Sequence, residues 1–561
     1  MIKIVTLVVF LFFSLSRTNN DHIERGVLAD HGMVVSAHPE ASEIGRQILL
    51  KGGNAIDAAV SVQFALAVSY PSAGNIGGGG FMVVRFADGK SVSLDFREKA
   101  PLAGHHDMFL DVNGNVIDRL STYSHLAAGV PGTVDGMIKM HEKYGVLSFV
   151  EVIQPAIHLA WNGFPVTANQ AKNFNSLKEQ FLEYNDHQPA FVKNKPWQKG
   201  DTLVQPELAH TLELIRDKGK EGFYSGETAN RIFKEMQRGG GLITHEDLEM
   251  YNSVWRKPVT GRFLNYKVIS MGPPSSGGIA LIQLLKSVEN YPLTEWGWGS
   301  SGYIHLLAEA ERWIYADRAK FLGDSDYFPV PVTGLLDESY IREQMEKVSP
   351  GKARISSEVN HGTPTGYESE ETTHYSVVDE MGNAVSVTTT LNRGYGTKIV
   401  VKGAGFLLNN EMDDFSSKPG VPNSYGLIGG EANSIQPGKR MLSSMTPSIL
   451  EKEGELFMVV GSPGGSTIIT SVFQTILNIT VFDMGMQEAV NAKRFHHQWL
   501  PDQIYYEKDA IDSLVVDKLK QIGHNLKLRG PIGRVDAILI LPDGTLEGGA
   551  DPRGDDAAAG Y

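Results

Sequence analysis

Apolar and polar residues alternate along two separate stretches of the chain, and each stretch is interrupted by a short break of turn-forming residues. In the first stretch, residues 81–86 and 91–96 flank a break at residues 87–90. The second runs over residues 371–392, where valines, threonines and a tyrosine surround a Met-Gly-Asn break at residues 381–383. Alternation with a period of two is typical of strands, and a short polar break between strands forms a turn. The pattern therefore predicts two β-hairpins.

Elsewhere the apolar residues recur at helical spacing. Residues 40–69 carry apolar positions three and four apart, interrupted at Gly52-Gly53, and this predicts two consecutive helices. Residues 127–350 are mostly helical in pattern as well, with Pro-Gly and Gly-Gly breaks between the segments. We therefore expect helical layers packed on sheets.

The register of the second hairpin brings several threonines together. With a turn at residues 380–383, antiparallel partners have residue numbers that sum to about 762 to 764. Thr372 then faces the end of the second strand, between Thr390 and Asn392. Three threonines and an amide would crowd one end of the ladder.

Threonine becomes a useful nucleophile only when a base removes its proton, and His374 is the one ordinary base in the hairpin. A chain cut before Thr372 would place an α-amine, with a pKa of about 7.7 to 8.0, on the same residue as the hydroxyl. Such a cut would create base and nucleophile together. The alternative is that Thr372 and Thr373 are ordinary strand residues, which stays open at this point.

Two further positions carry candidate chemistry. Arg97 follows the predicted strand 91–96 and could bind a substrate carboxylate with both arms of its guanidinium, or could simply pair with Glu98. The glycine-rich turn Gly461–Ser466 lies between a predicted strand at 456–460 and a helix at 467–477. Its amides could form an oxyanion hole at the helix start, or could serve only as a helix cap.

The composition of the chain argues against several classes of function. The formal net charge of -14 and the lack of Lys/Arg clusters argue against a nucleic-acid partner. The chain contains no cysteine, so disulfides, a thiolate nucleophile and Cys-ligated zinc are excluded. The histidines lack a complete H-E-x-x-H pattern, and no metal site is expected.

The amino terminus has the order of a secretory signal. Lys3 precedes an apolar run, Ile4–Phe13, and small residues follow at 14–16 before a polar stretch. We expect a signal peptide over residues 1–21 and an exported protein, periplasmic or secreted; an uncleaved anchor is the alternative. The polar residues 351–371 are rich in breakers and predict an exposed segment before the second hairpin.

Four motifs along the chain resemble one family. T-T-H-Y-S-V-V-D begins at Thr372, N-N-E-M-D-D-F at Asn409, L-S-S-M-T-P at Leu442 and G-S-P-G-G-S at Gly461. Their sequence and order resemble the γ-glutamyltransferases (glutathione hydrolases) of the N-terminal-nucleophile hydrolase superfamily. The resemblance covers nearly the whole mature chain, from Gly53 to its end.

The resemblance implies an α+β fold, a four-layer αββα N-terminal-nucleophile hydrolase sandwich formed jointly by two fragments of one self-cleaved precursor. The cut would separate Glu371 from Thr372, leaving a large fragment, 22–371, and a small catalytic fragment, 372–561, that associate as a heterodimer. Residues 416–438 would form a lid over the site.

The resemblance also assigns the site. Thr372 would be the nucleophile and Thr390 the hydroxyl that bonds its amine, while Gly464 and Gly465 would donate the oxyanion-hole amides. The residues that would bind the α-carboxylate of the glutamyl group are Arg97, Ser443 and Ser444. Those that would bind its α-ammonium are Asn392, Glu411 and Asp414.

The implied reaction is acyl transfer without a cofactor. Thr372 would attack the γ-amide of glutathione or a related compound, and water or an amino acid or peptide amine would take the γ-glutamyl group. A glutaryl or cephalosporin acylase of the same fold is one alternative, although three polar groups would then lack their cation. A non-catalytic binding homologue is the other, and an intact bond before Thr372 would be its signature.

Overall fold

The computed structural model describes residues 25–359, 372–418, 420–421, 427 and 429–561. The expected signal peptide, the Glu371 side of the expected cut and part of the expected lid lie outside these residues. Among the described residues, no helix combines the length and the apolar character required to cross a bilayer.

The described residues form nineteen strands and seventeen α-helices. The strands are β1 (Val27–Ala29), β2 (Met33–Ser36), β3 (Gly79–Arg85), β4 (Ser91–Asp95), β5 (Phe164–Pro165), β6 (Thr202–Leu203), β7 (Val254–Arg256), β8 (Val259–Phe263), β9 (Tyr266–Ser270), β10 (Thr373–Val378), β11 (Ala384–Thr390), β12 (Ser448–Lys452), β13 (Glu455–Gly461), β14 (Phe495–His496), β15 (Ile504–Glu507), β16 (Leu526–Arg529), β17 (Asp536–Ile540), β18 (Leu546–Gly549) and β19 (Ala557–Gly560). The helices are α1 (Pro39–Leu50), α2 (Ala55–Ser69), α3 (Thr133–Tyr144), α4 (Phe149–Asn162), α5 (Ala168–Tyr184), α6 (Pro206–Lys218), α7 (Glu221–Tyr224), α8 (Gly226–Gly239), α9 (His245–Glu249), α10 (Gly277–Val288), α11 (Leu293–Trp296), α12 (Ser301–Phe321), α13 (Val332–Leu335), α14 (Glu338–Glu346), α15 (Ile468–Thr480), α16 (Met486–Asn491) and α17 (Ser513–Gln521).

Two seven-stranded antiparallel sheets form the centre of the molecule. One, called sheet A here, has the strand order β1-β18-β17-β13-β12-β9-β8. The other, sheet B, has the order β19-β2-β10-β11-β3-β4-β7. Both predicted hairpins belong to sheet B, as β3–β4 and β10–β11, and both are confirmed.

Side chains alternate between two cores along the strands of sheet B. Phe81 and Val83 pack between the two sheets, whereas Met82 and Val84 pack against helices on the outer face of sheet B. Helices α10, α12 and α15 contribute to a separate core on the outer face of sheet A. The layers are therefore helix, sheet, sheet and helix, and the predicted αββα sandwich is confirmed.

Helices α1 and α2 show how the sequence forms the outer layer of sheet B. They are the two consecutive helices that the sequence predicts on either side of Gly52-Gly53. Asn54 and Asp57 form a reciprocal capping box that fixes the start of α2. Every residue of α2 is buried, which fits a helix with apolar residues on all sides.

The hairpin β10–β11 has the register that the sequence predicts. Thr373 pairs with Thr389 and Val378 with Ala384, so the residue numbers of partners sum to 762. In the turn, the Asp379 carboxylate accepts hydrogen bonds from the Met381 and Asn383 amides, and Gly382 has a φ of +81°. Glycine adopts this left-handed conformation at no steric cost.

Residues 351–359 are mostly exposed or half-buried, as predicted, but Ala353 and Ser356 are buried. Ser356 is fully buried, because Asp502 accepts a hydrogen bond from its amide and its hydroxyl accepts one from Arg312. Distant side chains provide partners for polar groups in this segment, which its local composition does not reveal. The remaining residues, 360–371, lie outside the described part of the chain.

Candidate active site

The open end of the β10–β11 hairpin carries two threonines. Extending the register by one residue sets Thr372 across from Thr390, and both are buried. The Thr390 hydroxyl accepts a hydrogen bond from the Asn392 amide at 2.7 Å. Because side chains alternate along a strand, both threonines share the face that carries Ser376, whose hydroxyl reaches Asp536 of sheet A. The two threonines therefore lie at the rim of the space between the sheets.

His374 lies on the same face of β10 but is fully engaged. Its Nδ1 is 2.9 Å from the Thr388 hydroxyl and its Nε2 is 3.1 Å from the Ser376 hydroxyl. The ring packs so closely on β13 that a Cβ at Gly461 would lie 2.2 Å from it. Burial lowers the pKa of His374 to about 3. A neutral imidazole with both nitrogens hydrogen-bonded is poorly suited to accept a proton from Thr372.

The end of β13 brings the glycine-rich turn of sheet A to the same rim. Gly464 has a φ of +135° and Gly465 a φ of +53°, and both values favour glycine. The Gly464 carbonyl accepts hydrogen bonds from the Thr467 amide and hydroxyl, which fixes the turn at the start of α15. The amides of both glycines precede that helix, so their N–H groups have no partner within it. We refer to Thr372, Thr390, Gly464 and Gly465 as the threonine side of the site.

Arg97 is the centre of a charged cluster just beyond β4. Its Nη1 lies 2.6 Å from Glu411 Oε2 and 3.5 Å from Glu98 Oε2. Its Nη2 lies 2.5 Å from Asp414 Oδ2. One guanidinium thus faces three carboxylates, and these four residues are called the charged side of the site.

Burial and mutual repulsion shift the protonation of these acids. Burial raises the pKa of Glu98 to about 8 and that of Asp414 to about 6, although Arg97 opposes both shifts. Burial also holds the pKa of Glu411 well above its usual range. Burial disfavours the charged form of Arg97, but Glu411, Asp414 and Glu98 outweigh this and raise its pKa. Part of the cluster is therefore protonated near neutral pH.

Two asparagines hold the chain around the charged side, and one of them, Asn392, directly follows the hairpin. Asn409 accepts a hydrogen bond from the Glu411 amide and donates to the carbonyls of Gly77 and Gly129. Asn392 has a φ of +74° and donates its side-chain amide to the Asn410 carbonyl at 2.8 Å. Asparagine is among the few residues that tolerate this backbone conformation.

A third group of contacts fixes the Ser443-Ser444 loop. The Ser276 amide and hydroxyl both donate to the Ser443 carbonyl, at 2.8 and 2.6 Å. Arg318, from α12, donates to the Ser276 hydroxyl at 2.9 Å and to the Ser444 hydroxyl at 3.0 Å. The loop is held from two directions, and its hydroxyls stay near the charged side.

One small cavity joins the three groups. Its volume is about 20 Å³, roughly the space of one water molecule. The predicted site residues that line it are Arg97, Thr372, Thr390, Asn392, Asp414, Ser443, Ser444 and Gly465. Gly464 and Glu411 lie directly behind this lining, the first in the turn and the second on Arg97. The structure thus brings all ten predicted residues to one place.

Four further residues line the cavity that the sequence analysis did not assign to the site individually: Arg318, Leu427, Met445 and Ile468. Leu427 lies in the segment 416–438 that the resemblance assigns to a lid. Arg318 lies within a regular helix, where an arginine looks like a surface residue. Only the packing of α12 against the Ser443-Ser444 loop reveals its place.

The structure also gathers one His/Glu cluster away from this cavity, which the sequence analysis did not find. His305, Glu309 and His524 are buried, and their possible ligand atoms lie within 4.8 Å of one another. The Glu309 carboxylate, however, accepts hydrogen bonds from both Arg312 and Arg354. These two positive charges oppose a metal cation at the cluster.

Comparison with known proteins gives a consistent result. The family model described as Gamma-glutamyltranspeptidase matches residues 41–561. The glutathione hydrolase proenzyme of Escherichia coli (strain K12) is 47% identical over 539 residues, which cover 95% of this chain and 93% of that protein. Among solved structures, the cephalosporin acylase of Bacillus halodurans has a TM-score of 0.83 at 25% identity, covering 98% of this chain and 99% of that one. The gamma-glutamyltranspeptidase of Helicobacter pylori has a TM-score of 0.57 at 48% identity, and the match covers 60% of this chain and 95% of that one.

Proposed function

This chain belongs to the gamma-glutamyltranspeptidase family, and on that premise we propose that it cleaves the γ-glutamyl amide of glutathione and related compounds after cutting itself before Thr372. The observation that carries this proposal is the cavity itself. The cavity is lined by Thr372, which directly precedes β10, and by Arg97 and Asp414, whose charged groups lie 2.5 Å apart. Nucleophile and charge anchors are therefore within reach of one small zwitterion.

The reaction begins at Thr372. Its α-amine, free after the cut, takes the proton of its own hydroxyl, and Oγ1 attacks the γ-carbonyl of the donor. The amides of Gly464 and Gly465, at the start of α15, stabilise the oxyanion that forms on the carbonyl oxygen. The amide bond breaks, the leaving amine takes a proton, and a γ-glutamyl ester remains on Thr372. Water or an acceptor amine then attacks this ester and releases the threonine.

The charged side aligns the donor. Arg97 and Asp414 already form an ion pair, and the α-carboxylate and α-ammonium of a glutamyl group carry the same two charges. The donor carboxylate is bound by Arg97, Ser443 and Ser444, and the donor ammonium by Asp414, Glu411 and Asn392. Binding energy from these remote groups orients the γ-carbonyl against Thr372.

Two fragments result from the cut, residues 22–371 and 372–561. The Helicobacter pylori structure supports this division. The match covers 95% of that solved chain but only 60% of the present one, which is close to the share expected for the large fragment. Strands on both sides of residue 371 pair within each large sheet, so the fragments stay associated. The Lys3 and apolar residues at the amino terminus support export. Amino acids and short peptides are the proposed acceptors beside water.

The likeness to a cephalosporin acylase raises a second candidate substrate, a glutaryl amide. A glutaryl group lacks the α-ammonium. Asp414 lines the cavity and Glu411 pairs with the arginine beside it, and a glutaryl donor brings no cation with which these carboxylates could interact. The charged side therefore favours a γ-glutamyl donor.

A gel and one assay test the proposal. The purified protein should give two polypeptides of about 20 and 38 to 40 kDa, in proportion to residue number within the 61.4 kDa chain. Sequencing of the smaller polypeptide should begin at Thr372, and the protein should release glutamate from glutathione. A glutaryl amide serves as the control donor. One uncut polypeptide that leaves glutathione intact would reject the proposal.

A further inference from the structure

We propose that Arg318 supplies the uncompensated positive charge that selects donors with an α-carboxylate, a role that rests on the function proposed above. Arg318 projects from α12 into the lining of the cavity. It is only 5% exposed, and its hydrogen bonds run to the Ser276 and Ser444 hydroxyls. Its guanidinium therefore adjoins the serine that binds the donor carboxylate.

The two cavity arginines differ in their counter-charges. Arg97 has carboxylate oxygens of Glu411 and Asp414 within 2.6 Å and of Glu98 at 3.5 Å. Among the described residues, no carboxylate lies within 4.0 Å of Arg318. An anion that reaches Arg97 must share it with acids, whereas an anion at Ser444 meets an arginine bonded only to hydroxyls.

A buried cation without a counter-ion is costly to a folded protein. Burial accordingly lowers the pKa of Arg318, and Tyr315 and Asp414 only partly oppose this. A bound carboxylate would relieve that cost at the moment of binding. The energy gained is specific to an anionic donor, because a donor without the carboxylate leaves Arg318 as it was.

A purely architectural role is the competing explanation. Arg318 bridges Ser276 and Ser444, and Ser276 holds the Ser443 carbonyl. If the bridge alone matters, loss of Arg318 should disturb every donor equally. The charge role instead predicts a change in discrimination between donors.

The experiment compares γ-glutamyl-p-nitroanilide with 4-aminobutyryl-p-nitroanilide, which lacks only the α-carboxylate. In Arg318→Gln, the ratio of kcat/KM for the first donor to that for the second should fall about 30-fold or more, mainly through KM. Arg318→Lys keeps the charge but loses the forked geometry, and its ratio should fall by less. Arg312→Gln is the matched control, since this arginine is equally buried on α12 and does not line the cavity.

Each possible result of this experiment either supports the charge role of Arg318 or contradicts it. Equal losses on both donors in Arg318→Gln would overturn the charge role and leave the bridge. If Arg318→Gln does not fold, Arg318→Met removes the charge from a side chain of similar length, and equal losses on both donors in that variant would overturn the charge role as well. Failure of the proposed function has a different signature, because the unaltered protein would then not cleave γ-glutamyl-p-nitroanilide at all.

Discussion

The two sides of the cavity are built in different ways. On the threonine side, Thr372 and Thr390 are placed by one turn and one strand register. On the charged side, Arg97, Glu98 and the Glu411–Asp414 turn come from loops more than 300 residues apart and meet through buried ion pairs. Backbone hydrogen bonds fix the first arrangement, and electrostatics with side-chain hydrogen bonds fix the second.

The difference separates positioning from recognition. A strand ladder holds its residues within small tolerances and suits a nucleophile that must meet one atom. A cluster of several acids around one arginine can redistribute protons and contacts when a ligand enters. We therefore expect changes on the threonine side to act on chemistry and self-processing, and changes on the charged side to act on donor binding.

The largest expected effect is the loss of the nucleophile. Thr372→Ala should remain one polypeptide and show no γ-glutamyl transfer, because both reactions need the hydroxyl. Thr372→Ser keeps a hydroxyl and serves as the control, which should still cut itself, though more slowly. Electrophoresis and a glutathione assay measure both. Processing of Thr372→Ala at the normal site would place the nucleophile elsewhere.

The next effect should appear on the charged side. Arg97→Ala or Asp414→Asn breaks a desolvated ion pair, which typically costs about 2 to 5 kcal/mol, so kcat/KM should fall about 30-fold to several thousand-fold. Self-processing should survive in both. Asp413→Asn is the control, because Asp413 accepts a hydrogen bond from Ser121 and does not line the cavity. If the Asp414 variant lost processing instead of affinity, the two sides would not be separable.

A smaller effect should distinguish the two groups that could assist Thr372. Thr390→Ala removes a hydroxyl at the hairpin end and should slow processing or turnover by about 5-fold to 150-fold, the equivalent of one buried hydrogen bond. His374→Asn should keep processing and the acidic limb of the pH–rate profile, because that limb reports the α-amine. The wrong base has been chosen if the limb disappears in His374→Asn while Thr390→Ala behaves normally.

The last effect is on stability and not on activity, and it concerns the protonation of the charged side. The pKa of Glu98 is raised to about 8, so its contribution to stability is present below its unfolded pKa, about 4.3, and is lost as pH rises through 8. Glu98→Gln cannot ionise. In the single-chain Thr372→Ala background, its free energy of unfolding relative to the Glu98 parent should therefore increase by about 1 to 3 kcal/mol between pH 5 and 9. Chemical denaturation across that range would measure it, and a parallel pH dependence of the two proteins would contradict the assignment.

The contrast also explains what the sequence could predict. The hairpin register followed from the Met381-Gly382-Asn383 break, because a tight turn fixes the pairing of the residues beside it. The layers followed from strand and helix periodicity. Arg318 and the burial of Ser356 could not be found, because their partners lie far away in the sequence and nothing local marks them. Arg97 was already a candidate from its position after a predicted strand, whereas the places of Glu411 and Asp414 followed only from the family resemblance.

The strand order of the two sheets determines how firmly the two fragments are held together after the proposed cut. In sheet B, β2 lies between β19 and β10, so a strand from before residue 371 is hydrogen-bonded on both sides to strands from after it. In sheet A, β1 caps one edge beside β18, while β9 continues the sheet beyond β12. Neither fragment can dissociate unless the hydrogen bonds between strands break in both sheets. Exchange of fragments between molecules should consequently be as slow as global unfolding. The cleaved enzyme should therefore unfold at about the same rate as its uncut precursor.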